Sequence, residues 1–153
     1  MEEIKRIDEQ SRRAFEGPAW HGPSLHELLA DVTAERAAAR PLTGAHSIWE
    51  LVLHVVATKD LVRRRLAGEH AELSPEEDWP AITDTSEAAW QGSLASLKRA
   101  QTELRNTMAH IVDAGLEGTV PGHDHSVYVM LHGLIQHDLY HAGQIALLKK
   151  ARE

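Results

Sequence analysis

Apolar residues recur every three or four positions along four long stretches of the chain, which is the spacing of an amphipathic helix. This pattern predicts helices over about residues 2–16, 47–66 and 86–111, and a fourth from residue 124 or 125 to 150. Runs in which β-branched residues alternate with polar ones, the usual sign of strands, are absent from the sequence. The chain is therefore predicted to be all-α.

The connections between these helices are long and contain helical signals of their own. Residues 24–27 (SLHE) form a capping box, and Thr33 can cap a further turn. Residues 47–50 (SIWE) open the second long helix with the same signal. Four long helices with long first and second connections predict a four-helix bundle with crossover connections, in one domain over residues 1–153.

Charge argues against several classes of partner. The chain has 23 acidic and 16 basic residues, a net charge of −7, and no lysine or arginine between Glu69 and Glu87. We interpret Arg63–Arg65 as a solvated helix end rather than a nucleic-acid contact. No apolar run approaches the ~20 residues of a membrane helix, and the N-terminus lacks a secretory pattern. We expect a cytoplasmic protein that binds neither nucleic acid nor membrane.

Several common kinds of active site are missing. The sequence contains no cysteine, so disulfides, cysteine zinc sites and cysteine nucleophiles are excluded. A metalloprotease helix needs glutamate directly after its first histidine, where this chain has Asp138. The Glu-x-x-His pairs of di-iron bundles and glycine-rich phosphate loops are also absent.

Histidines carry the most informative pattern. His137 and His141 lie four residues apart on the apolar stripe of the last helix, so their rings can converge on a single ion. His54 repeats this placement on an apolar row of the second long helix. Three such ligands leave one coordination position open, as in catalytic zinc sites. The alternative is that each is a core histidine whose ring nitrogens are satisfied by protein groups, and the spacing leaves both interpretations open.

The remaining candidates are weaker. Glu50 lies one turn before His54 and could act as a ligand or as an acceptor behind it, but its place in the capping box explains it more simply. Surface positions account for most of the eight other histidines, which are His21, His26, His46, His70, His110, His123, His125 and His132.

Three segments are distinctive as stretches of sequence: residues 20–25 (WHGPSL), 44–54 (GAHSIWELVLH) and 137–145 (HDLYHAGQI). Together they resemble the DinB/YfiT superfamily of metal-binding helical proteins, and the resemblance spans nearly the whole chain. It implies a DinB-like four-helix bundle with crossover connections that is often a homodimer. It also implies a divalent metal ion, zinc or nickel, on three histidines, which map onto His54, His137 and His141.

The same resemblance implies an activity. Relatives include transferases and isomerases that use low-molecular-weight thiols such as bacillithiol, mycothiol or glutathione, and others are labelled metal-dependent hydrolases. We favour activation of a thiol cosubstrate for transfer to a small electrophile, because an open-site ion stabilises a thiolate without any cysteine from the protein. A hydrolase using a metal-bound water is one alternative, for which only Glu50 and Asp138 are candidate bases, and neither is assigned a catalytic role. A non-catalytic helical dimer with a structural metal is the other.

Overall fold

The computed structural model describes residues 2–151, and this part of the chain is all-α, as predicted. It contains two isolated β-bridges and no strand. A short 3-10 helix spans Asp113–Glu117. The α-helices of the described residues are α1 (Glu3–Glu16), α2 (Leu25–Leu29), α3 (Ala34–Ala38), α4 (Ile48–Leu66), α5 (Pro75–Asp78), α6 (Glu87–Met108) and α7 (Val127–Lys150).

The four long helices are the ones that the apolar pattern predicts, with two shifted ends. Helix α6 stops at Met108 rather than at residue 111, because the following residues form tighter turns in which the Ile111 amide donates to the Met108 carbonyl. Helix α7 begins at Val127 rather than at 124 or 125. Its N-cap is Ser126, whose hydroxyl accepts from the Val129 amide at 3.2 Å.

The short helices behave as their capping signals predict, with one addition. Ser24 and Thr33 cap α2 and α3, and the capping box at Ser47 opens α4. Helix α5 is not predicted by the sequence analysis above, although Ser74 and Glu77 form a third capping box there. The acidic run around it has no apolar periodicity, and four residues are too few to show one.

Each long helix packs against two others. Helix α4 contacts α6 and α7, and α1 contacts the same two helices. Of the short helices, α2 packs against α1 and α7, and α3 packs against α4 and α6, both within the same apolar cluster. The two helices that carry the candidate histidines, α4 and α7, are therefore direct neighbours.

The apolar core consists of two clusters separated by polar residues. One cluster surrounds Val52, Trp90 and Ile145, and the other surrounds Ile7 and Leu104. Buried polar residues separate the contributions of each long helix to the two clusters: α1, α4 and α6 carry one each, and α7 carries two, of which the second is His141. We call four of them, one from each helix, the polar layer. They are Ser11 on α1, Lys59 on α4, Gln101 on α6 and Asp138 on α7.

The length and hydropathy of each helix decide whether it could cross a membrane. Among the described residues, no helix combines the length and apolar character that crossing a bilayer would require.

Candidate metal centre

Three histidine side chains meet between α4 and α7. His54 lies near the middle of α4, and His137 and His141 lie one turn apart on α7. The Nε2 atom of His137 is 3.0 Å from Nε2 of His54 and 3.1 Å from Nε2 of His141. All three potential ligand atoms lie within 4.8 Å of one another. The structure thus brings together the three histidines that the sequence predicts to share an ion.

These rings are largely shielded from water by the helices that carry them. His54 is 8% exposed and His141 is 6% exposed, while His137 is partly buried. The shielding arises because α4 and α7 pack along the rows on which the histidines lie. Whether the rings meet therefore depends on how α7 is positioned against α4.

Two of the rings are oriented through their second nitrogen. His54 Nδ1 lies 3.0 Å from the backbone carbonyl of Asp78 and 3.0 Å from its carboxylate. His141 Nδ1 lies 2.6 Å from Oε1 of Gln144. Because these partners are acceptors, the proton of each ring is on Nδ1, and its Nε2 presents a lone pair to the centre of the group. This is how proteins usually orient histidine ligands.

Burial also favours the neutral form of the rings on α7. Burial, with smaller contributions from His141, His54 and Lys59, lowers the pKa of His137 from 6.5 to about 3. The pKa of His141 is lowered as well, mainly by burial. Neutral imidazole is the form that binds a metal, because protonation occupies the lone pair that the metal needs.

The distances from His137 Nε2 to the other two Nε2 atoms are close to those expected around one ion. Ligand nitrogens bound at 2.0–2.1 Å with tetrahedral angles lie roughly 3.3 Å apart, and the Nε2 atoms here are separated by 3.0 and 3.1 Å. Two imidazole lone pairs facing each other at this distance repel unless a proton or a cation lies between them. A purely nitrogen donor set suits zinc, nickel, cobalt or copper.

An aromatic side chain forms one boundary of the centre. The Trp79 ring is stacked on His54, with ring centroids 4.0 Å apart and planes inclined by 2°. His46 stacks on Trp79 at 3.7 Å and 8°. His46 is exposed, as expected of a surface histidine, and this stack also brings it close to the centre. Trp79 and Asp78 both come from the segment around α5, so this short helix contributes an orienting group and a packing surface.

The two carboxylates considered as general bases are both engaged elsewhere. Glu50 completes the capping box with Ser47, accepting from its amide at 2.7 Å, and forms an ion pair with Arg40. Asp138 is 1% exposed and accepts from Lys59 Nζ at 2.5 Å. The Oδ1 atom of Asp138 has no hydrogen-bond partner, but it is buried, so a reactant in solution does not reach it.

The other histidines do not assemble a comparable group. Within residues 2–151, the three histidines described above are the only set of three potential ligands close enough to share an ion. His123 and His125 lie near each other in the loop before α7, with ring centroids 5.0 Å apart. His110 is exposed at the end of α6.

Sequence reasoning missed Asp78, Trp79 and Lys59 as neighbours of the site. Gln144 has a local signal, because a residue three positions after a helical histidine lies on the same face. Asp78 and Trp79 have none, since they reach His54 across a loop. Lys59 carried a signal that could have been used, because a lysine on the buried side of a central helix requires a partner.

Comparison with known proteins agrees with this picture. The family model described as the DinB superfamily matches residues 19–145, a range that includes all three histidines and most of the chain. No curated protein and no solved structure matches the chain at a significant level.

Proposed function

The chain belongs to the DinB superfamily, and we propose that it is a metal-dependent enzyme that activates a low-molecular-weight thiol for transfer to a small electrophile. In this proposal His54, His137 and His141 hold one divalent ion, zinc or nickel. The observation that carries the proposal is the convergence of their Nε2 atoms, with the Nδ1 atoms of two rings bound to acceptors.

The number of ligands supports a catalytic rather than a structural centre. A structural zinc site usually has four protein ligands, whereas a catalytic site has three and keeps a position for a small molecule. Among the described residues, the group that could hold an ion contains three histidines and no fourth histidine, cysteine or carboxylate. An ion held in this way would stabilise the thiolate form of a thiol bound beside it.

The protein's own groups have defined tasks in this proposal. Asp78 and Gln144 keep the His54 and His141 rings oriented, so the lone pairs of these two rings do not need to reorganise on binding. Trp79 covers one face of His54 and excludes water there. The thiolate sulfur would then attack the electrophilic carbon, forming a C–S bond as the leaving group departs with its electron pair.

The engaged carboxylates favour thiol transfer over hydrolysis. Hydrolysis by a metal-bound water is assisted by a general base within hydrogen-bond reach. Glu50 and Asp138 are both held by other residues. Thiol transfer needs no such base, because a thiol bound to the ion would release its proton to solvent water and attack as the thiolate.

The test uses protein purified without an affinity tag. We expect about one equivalent of bound divalent metal, and loss of glutathione, mycothiol or bacillithiol in the presence of a model aryl chloride only when metal is bound. With cobalt as the ion, the accepted thiol should produce a thiolate-to-metal charge-transfer band. His54→Ala should lack both signals, and His123→Ala should retain them.

Other results of the same experiment would favour one of the alternative functions. If an ester is hydrolysed at full rate without thiol, and thiol only inhibits, the protein is a metal-dependent hydrolase. If metal binds but no thiol reaches it and no substrate is turned over, the centre is structural. If no metal binds, the proposal fails as a whole.

We extend the proposal to architecture and partners. We interpret the four long helices as a DinB-like four-helix bundle with crossover connections, acting in the cytoplasm as a homodimer on small molecules. Light scattering after size-exclusion chromatography should give twice the chain mass. The net charge of −7 supports the further proposal that the protein does not bind duplex DNA at physiological salt, and submicromolar binding with a steep salt dependence would contradict it.

A further inference from the structure

A buried ion pair joins the two helices that carry the metal centre. Lys59 Nζ on α4 lies 2.5 Å from Oδ2 of Asp138 on α7, and the side chains are 0% and 1% exposed. Lys59 follows His54 by five positions, and Asp138 lies directly after His137. The ammonium group also lies 5.3 Å from the ring centroid of Phe15 on α1. The pair is thus next to the three histidines in sequence, but its own contacts are with each other and with Phe15.

Stability alone gives no reason for this pair. Removing two charges from water is costly, and replacing a buried ion pair with apolar residues often leaves stability unchanged or raises it. Lys59 and Asp138 also interrupt the apolar core, which the polar layer divides into two clusters. Continuous apolar packing at this level would satisfy the hydrophobic effect equally well.

The pair does supply a directional constraint. Apolar side chains tolerate small sliding and rotation of one helix against another, because the hydrophobic effect depends on buried area rather than direction. A hydrogen-bonded ion pair tolerates neither. Sliding α7 by one turn, about 5.4 Å, would leave both charges buried and unpaired. The same displacement would separate His54 from His137, whose Nε2 atoms are 3.0 Å apart.

We propose that Lys59 and Asp138 are positioning residues for the metal centre: their ion pair fixes the register and rotation of α7 against α4, and so holds His54 against His137 and His141. The proposal rests on the proposed metal binding and deepens it. The remaining half of the polar layer provides an internal comparison. Gln101 Nε2 lies 3.3 Å from Ser11 Oγ and links α6 to α1, two helices that carry none of the three histidines.

The experiment replaces each pair and measures metal affinity apart from stability. The first variant is Lys59→Met with Asp138→Ala, which removes both charges and leaves neither unpaired. The matched control is Ser11→Ala with Gln101→Leu. Cobalt and zinc affinities are measured by competition with a chelator, cobalt absorption reports coordination geometry, and thermal unfolding is followed in the metal-free state.

We expect the Lys59/Asp138 double variant to unfold cooperatively, bind metal at least about tenfold more weakly and show altered cobalt absorption. Loss of a group that orients metal ligands typically costs 10–100-fold in affinity. The control variant should bind metal within about threefold of the wild type, even if its melting temperature falls. Wild-type affinity in the folded Lys59/Asp138 double variant would overturn the proposal.

Asp138→Glu keeps both charges but makes the acidic side chain longer by one methylene. This variant tests the proposal if the double variant does not fold. We expect Asp138→Glu to fold, with weaker metal binding and shifted cobalt bands, because the added length displaces α7 from α4. Unchanged affinity and spectrum in this variant would overturn the proposal. Failure of the wild type to bind metal would instead refute the proposed function, so the two failures are distinguishable.

Discussion

The three histidines of the candidate centre and the histidine pair before α7 have almost the same ring spacing. The centroids of His54 and His137 are 4.9 Å apart, and those of His123 and His125 are 5.0 Å apart. Their nitrogens are directed differently. In the centre the Nε2 atoms face one another, whereas His123 Nε2 lies 3.0 Å from a carboxylate oxygen of Glu72, whose side chain is 72% exposed.

The difference teaches that proximity of imidazole rings does not make a metal site. The histidines of the centre lie on helices, and two of them have their Nδ1 atoms bound to acceptors. His123 and His125 lie in a loop whose backbone forms a turn, with the Val120 amide donating to the His125 carbonyl. Rigid elements and acceptors behind the ligands are the features that precise sites share.

The largest effect should follow from removing a ligand. His54→Ala leaves two histidines on α7, and we expect zinc affinity to fall by about 100-fold or more, beyond the 10–100-fold typical of supporting groups. His137→Ala and His141→Ala should behave alike. His123→Ala and His110→Ala are the controls and should keep one equivalent of metal. Chelator competition measures all five, and a full equivalent in His54→Ala would refute the three-histidine site.

A smaller loss should follow from removing the acceptor behind a ligand. Gln144→Ala removes the acceptor of His141 Nδ1, and we expect zinc affinity to fall by about 10–100-fold. Asp78→Ala should cost less, because its backbone carbonyl still accepts from His54. Glu72→Ala is the matched control at the other histidine pair. Equal zinc affinities for Gln144→Ala and Glu72→Ala would show that orientation of the His141 ring by Gln144 contributes nothing to metal binding.

Metal removal should lower thermal stability. An ion present at 100 times its Kd stabilises the folded state by about 2.7 kcal/mol. For a chain of this size that corresponds to a fall in melting temperature of about 5–10 °C on chelation. Circular dichroism with and without chelator measures the shift, and His54→Ala should show none. A shift of the same size in that variant would place the stabilising ion elsewhere.

The last expected effect concerns pH. Below pH 6.5 the unfolded chain protonates His137, whereas in the folded protein burial lowers the pKa of that residue to about 3. The unfolded state therefore binds more protons in this window, and the free energy of unfolding of the metal-free protein should decrease as pH falls from 6.5 towards 3. His137→Asn removes this contribution, so its stability should depend less steeply on pH. Urea unfolding at several pH values gives the free energy of unfolding of both proteins. The same dependence of that free energy on pH in both would contradict the prediction.

Most of the helices, and the placement of the three histidines on their apolar faces, could be predicted because the signals are local. Apolar periodicity and capping boxes depend on residues within one or two turns, and His137 and His141 are one turn apart. The shift of the α7 start to Val127 has a local cause too, since Ser126 caps the helix. Helix α5 escaped prediction because its four residues carry a capping box but no periodicity.

The neighbours of the histidines could not be predicted from such signals. Asp78 contacts His54 across 24 positions, and Asp138 contacts Lys59 across 79. The sequence shows Gln101 as the one interruption in the apolar stripe of its helix, but not that Ser11 lies opposite it. Local pattern identifies a polar residue on a buried face without identifying its partner.

The sequence by itself determined that the chain is helical, which face of each long helix is apolar, and that His54, His137 and His141 lie on those faces. Helical periodicity decides all of these within a few residues. Only the tertiary structure decided that the Nε2 atoms converge, that Asp78 and Gln144 orient two of the rings, and that Lys59 pairs with Asp138. Except for Gln144, which is local to α7, these contacts depend on how separate elements are rotated and shifted against one another, and that is set by packing of the whole chain.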